Sequence, residues 1–145
     1  MAIRLAHISS DYWEEDKLDK SEAYERNAIS LSSRLVSRSD PLTLNMIGDF
    51  GTIVDLEGET DETELAYGEH LKGEQALNPP NLPDLGLAWN YKGWLHCRLG
   101  LFSDAEQKMR HALEMRIAAY GETHPVTAGA RASLAYILLC RQKSS

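Results

Sequence analysis

Cysteine is almost absent, with two residues, Cys97 and Cys140, in a chain of 145. Two thiols make no disulfide framework, and both sit in apolar segments, which points to a reducing compartment, the cytoplasm. Long apolar runs are also lacking. The longest, LAYILLC at 134–140, is far too short to span a bilayer, and no basic start with an apolar stretch opens the chain. No membrane association is expected. Positive charge is scarce, with 15 Lys and Arg against 22 Asp and Glu and a formal charge of −7. That balance argues against a nucleic-acid partner. From Ser39 to Leu71 it is missing altogether: nine acids stand there with no Lys or Arg, whereas eight basic and four acidic residues follow from Leu85 onward. Solvated helix faces account for this polarity, although a polarised surface is the alternative.

The signatures of catalysis are missing too. There is no G-x-x-x-x-G-K-[ST], no G-x-G-x-x-G, no G-x-S-x-G and no H-E-x-x-H. The five histidines, His7, His70, His96, His111 and His124, include no pair spaced for metal binding on one helix face. The acidic stretch DLEGETDETE (55–64) fails the calcium-loop template, because Gly58 arrives fourth rather than sixth. Cys97 and Cys140 read as small packing residues, with no basic pair nearby to activate a thiol. No catalytic residue, metal or cofactor is expected, and the chain is read as a non-enzyme.

What is present is a ruler. Pro41, Pro83 and Pro125 stand 42 residues apart. In the same register Gly51 falls on Gly93, and Gly58 on Gly100. Asp19, Asp61 and Ser103 coincide, as do Glu22, Glu64 and Glu106, and Thr43 returns as Thr127. The matched positions have local roles. Asp or Ser three residues before Glu predicts a capped helix start. Proline suits the first turn of a helix, where its missing N–H costs nothing, and Asp40 is a good cap before Pro41. Gly58 and Gly100 suit a left-handed helix end. These signals predict about seven helices, at 2–15, 19–36, 41–57, 61–77, 84–99, 103–120 and 125–142, and no strands. His124 in GETHPVT (121–127) then reads as punctuation before a helix rather than as a loop-borne site.

These residues resemble the tetratricopeptide repeat. The segment LGLAWNYKGWLHCRLGLFSDAEQKMRHALEMR (85–116) carries Trp89 with Gly93 four on, Gly100-x-Phe102 at the turn, then Ala105 and Ala112. The 42-residue period and the linker YGETHPVTA (120–128) resemble kinesin-light-chain repeats, and similar arrays end some receptor-like nucleotide-switch ATPases. The second unit departs from the pattern at Thr60, Thr63 and His70. The resemblance implies an all-α fold: a right-handed superhelix of stacked antiparallel helix pairs, a tetratricopeptide-like α-solenoid. A single domain over 1–145 is expected, with units at about 1–40, 41–82 and 83–124 and a terminal helix at 125–142.

Such arrays bind peptides on a concave side lined by the first helix of each pair. Counting from the small packing residue, the resemblance places Asn90, Trp94, Cys97 and Arg98 there, with Thr52 and Asp55 from the preceding unit and Tyr136 from the following helix. Asn90 would hydrogen-bond a ligand backbone, and Trp94, Tyr136 and Arg98 are residue types that dominate binding hot spots. Packing against the neighbouring repeat is the competing role for Trp94 and Tyr136. The expected function is a scaffold, or the sensing end of a larger assembly, that binds a protein or peptide. A self-associating regulatory protein is the first rival, and a small helical enzyme or ligand-binding protein with a pocket in the groove is the second. For self-association the last helix supplies Leu134, Ile137 and Leu138, because ASLAYILLCRQ (132–142) is apolar on nearly every side. A second copy, a partner protein and further repeats of a longer chain all fit that face.

Overall fold

Each proline of the register opens a helix in the computed structural model, which describes residues 18–35 and 37–145. Among these residues there are six α-helices and no strand: α1 Leu18–Leu35, α2 Pro41–Glu57, α3 Thr60–Ala76, α4 Leu82–Arg98, α5 Phe102–Tyr120 and α6 Pro125–Lys143. The helix expected at 2–15 lies outside the described residues. The other six stand within two residues of the expected bounds, because proline, glycine and caps mark helix ends locally.

The caps show how the register is built. Asp40 accepts from the Leu42 N–H at 3.1 Å ahead of Pro41. His124 plays the same part ahead of Pro125, with Nδ1 accepting from the Val126 N–H at 3.2 Å and the ring stacked on Tyr120 at 4.8 Å. At the other ends, Gly58 (φ 85°) and Gly100 (φ 76°) adopt the left-handed conformation. Around them Glu59 N–H donates to Val54 O and Leu101 N–H donates to His96 O, the same six-residue closure displaced by one repeat.

This closure corrects the expected caps at Asp61 and Ser103. The first helical carbonyls to accept are those of Glu59 and Leu101, at 2.9 Å from the N–H groups of Thr63 and Ala105. The helices therefore start earlier than the Asp/Ser-x-x-Glu pattern suggests. Leu101 has no side-chain cap, and Ser103 is a residue of the first turn. Asp61 sits beside Glu62 in the first turn of α3, where negative charge favours the helix dipole. Glu106 pairs with Arg110 and with Arg141 of α6 rather than reaching back.

The chain divides into two compact units, Met1–Gly73 and Glu74–Ser145. In the first, Leu44, Ile47, Ile53 and Tyr67 are buried, and α2 meets α3 across glycines. A Cβ on Gly51 would lie 2.6 Å from the Tyr67 ring, and one on Gly48 2.7 Å from the His70 ring, so only glycine admits these rings. In the second unit, Met109 lies over Gly93, and Ala105, Leu134 and Ile137 complete an apolar cluster. Thr127 is fully buried at the start of α6, its hydroxyl donating to Gly121 O at 2.7 Å. Its repeat equivalent, Thr43, is buried against Ser32 of α1 with the two hydroxyl oxygens 2.5 Å apart.

Candidate functional site

Helix α4 presents two faces within its unit. One is committed to α5. There Trp89 lies against His111 with ring centroids 4.6 Å apart, and the Lys108 ammonium sits 5.6 Å over the indole. Gly86 and Gly93 belong to the same side, in contact with Met115 and Met109. The signature tryptophan of the repeat is thus a packing residue.

The other face carries the residues singled out from sequence. Trp94 of α4 and Tyr136 of α6 meet at 5.7 Å between ring centroids with a 41° tilt. Both keep a large exposed area, 39% for Trp94 and 53% for Tyr136. Ring-on-ring packing and exposure coexist here, so neither role expected for this pair displaces the other. One turn along each helix, Cys97 and Cys140 lie close enough for their thiols to interact. Burial, followed by the Cys140 sulfur, pushes the Cys97 thiol above its ordinary value, and contact with Cys140 raises the Tyr136 phenol likewise. Thiol and phenol therefore stay protonated at neutral pH. The result is an uncharged, polarisable patch suited to an apolar side chain rather than to nucleophilic chemistry.

Asn90 is half-buried on α4, and its side-chain amide makes no hydrogen bond to a described residue. It is accordingly equipped to donate to and accept from a peptide backbone. Arg98 ends α4 in an exposed position. In the other unit, the Thr52 hydroxyl donates to Gly48 O at 3.2 Å and accepts from the Tyr67 hydroxyl at 3.3 Å, which ties it to α3. Asp55 is half-buried on α2. The structure thus brings Trp94, Cys97 and Tyr136 together, while Thr52 has a packing role inside its own unit.

The expected interface residues of α6 separate. Leu134 and Ile137 are buried against Ala105 and Met109 of α5, so they belong to the core and not to the surface. A helix with apolar residues on nearly every side does not reveal which side its neighbour takes. Leu138 stays exposed, and so does Leu139, at 57%. Leu139 and Cys140 extend the aromatic patch, and the signal for them was their place three and four residues after Tyr136.

Among the described residues no three His, Cys, Asp or Glu side chains group as a metal site, and no helix is long and apolar enough to cross a membrane. Residues 90–126, from the patch through α5 to the linker, match the tetratricopeptide repeat family. No curated protein matches the chain in sequence. Among solved structures 30 chains match. One is BtubC (BKLC) from P. vanneervenii, with a TM-score of 0.86 and 15% sequence identity over 97% of this chain. The chain spans 56% of that protein's length. The fold is therefore all-α, of the tetratricopeptide-like helical-repeat kind.

Proposed function

We propose that this tetratricopeptide-repeat protein is a binding module that takes a peptide segment on the face formed by α4 and α6. The observation that carries this reading is the Trp94–Tyr136 pair, two large rings in contact and still open to solvent. Aromatic residues in such a setting supply binding energy at low entropic cost, and Asn90 supplies a sequence-independent contact to backbone. Cys97 and Arg98 complete the face. The module serves as a scaffold, or as the sensing end of a larger assembly. The 42-residue period and the GETHPVTA linker support a kinesin-light-chain-like subtype. Two unbridged thiols fit a cytoplasmic setting.

The test compares wild-type bait with Asn90→Ala/Trp94→Ala in affinity pull-down. Partners recovered by the wild type and lost from the double variant support the reading. Identical partners on both baits sink it.

Self-association is the second reading, favoured by Leu138 and Leu139 exposed on α6. Light scattering after size exclusion decides it, because a monomer at high concentration is incompatible with that role.

A further inference from the structure

A cleft of about 830 Å³ opens among α1, α2 and α3, wholly inside the Met1–Gly73 unit. Its volume is that of a ligand site rather than a packing defect. The floor is apolar, with Ile47 and Phe50 of α2. Leu65 of α3 stands at the wall with 73% of its surface exposed. A single exposed leucine is ordinary, but this one borders an apolar floor and stands between two ion pairs.

Those ion pairs determine the charge of the cleft. Arg26 of α1 binds Glu22 and Glu62, and its guanidinium lies 4.6 Å over the Phe50 ring. Arg38, in the turn after α1, holds both carboxylate oxygens of Glu69 in a fork. The lining carboxylates, Glu62 and Glu69, are thereby both engaged. Arg34 lies between these two arginines in sequence, also lines the cleft, and has no carboxylate partner among the described residues. Among the described residues the uncompensated charge of the lining is therefore a single cation, in a protein whose formal charge is −7.

We infer that this cleft docks an acidic–apolar peptide segment, which rests an aliphatic or aromatic side chain on Phe50 and Leu65 and sets a carboxylate against Arg34. A guanidinium recognises a carboxylate through paired N–H donors, and the apolar floor favours a neighbouring side chain. From Arg26 to Arg34 the wall runs roughly 12 Å along α1, enough for about four extended residues. An open trough of that length suits a chain. The occupant must offer acid rather than base, since a Lys in the same place would face Arg34 with no free carboxylate among the described lining residues to receive it. This surface is independent of the α4/α6 reading.

Selection from a random peptide display library on the full chain tests the inference, with Arg34→Glu as counter-selection. Peptides retained by wild type and rejected by Arg34→Glu should pair Asp or Glu with a large apolar residue. Replacing their acid by Lys should weaken binding about ten-fold or more, and raising salt should weaken it as well. Arg34→Gln, which removes the charge alone, should lose binding with an unchanged melting curve, and Trp94→Ala should keep it. The inference is overturned if no such sequences emerge, or if the selected peptides bind Arg34→Gln as they bind wild type. Loss through Trp94→Ala alone would also overturn it, by assigning them to α4/α6.

Discussion

The two units close the same helix pairing with different fillers. Around α2 and α3, rigid rings lie directly on glycine: Tyr67 on Gly51 and His70 on Gly48. Around α4 and α5, the flexible thioether of Met109 covers Gly93, the repeat equivalent of Gly51, at 3.0–3.2 Å from where a Cβ would stand. A ring cannot yield without moving its helix, whereas a methionine rearranges through several torsions. The register preserves a close approach, and each unit achieves it with its own chemistry.

That contrast is broken most directly at the glycines. Gly51→Ala places a Cβ 2.6 Å from Tyr67 and is expected to cost about 1–3 kcal/mol through overpacking. Gly93→Ala meets the flexible Met109 side chain first, and the roughly 1 kcal/mol gained in helix propensity offsets the adjustment. Chemical denaturation of both variants checks this, and equal midpoints would end the distinction.

Next in size is the threonine at the helix start of each unit. Thr127→Val deletes the hydroxyl bonded to Gly121 O, and Thr43→Val leaves Ser32 without its 2.5 Å partner. Each should lower stability by about 1–2 kcal/mol, since a buried polar group is left unsatisfied. A negligible change in either would show that the shared threonine is not a shared tie.

The caps sharpen the comparison on a finer scale. Asp40 and His124 accept equivalent N–H groups, so His124→Ala should cost about 1 kcal/mol and His124→Asp much less. Calorimetry that finds the two equally damaging would point to the Tyr120 stack instead of the cap.

The smallest expected effects are pH-dependent and of opposite sign. Arg110 first, then Arg141, holds the Glu106 carboxylate below its usual range. Its ion pairs stabilise at pH values above that range, and the contribution disappears as pH falls through the lowered value. Arg141→Gln should therefore lower the melting temperature near neutrality by a few degrees at most and have little effect in acid, because the Arg141 side chain is half-exposed. Burial, with the charge of Asp84, pushes Glu74 up to about 7. Its protonated form fits the fold better, so stability declines as pH rises from the ordinary 4.5 toward 7. Glu74→Gln should raise the melting temperature above neutrality and leave it unchanged in acid. The reverse order would contradict the assignment.

Local chemistry made the helices legible in the sequence. Pro41, Gly58, Pro83, Gly100 and Pro125 act through their own backbone torsions, so their 42-residue spacing reads without knowledge of any partner. The same holds for Asp40, whose cap lies two residues away. Where a neighbouring helix decides, the sequence falls silent. Trp94 and Tyr136 are large aromatic residues on any reading, but their meeting required α4 and α6 to be placed side by side. Leu134, Ile137 and Leu138 look alike along the chain, and only the position of α5 buries two of them. The cleft holding Arg34 needs three helices at once. Torsional preference is a property of one residue and its neighbours in the chain, whereas exposure and pairing belong to contacts between residues far apart in it. The first determined the repeat, and tertiary packing decided the surface it offers.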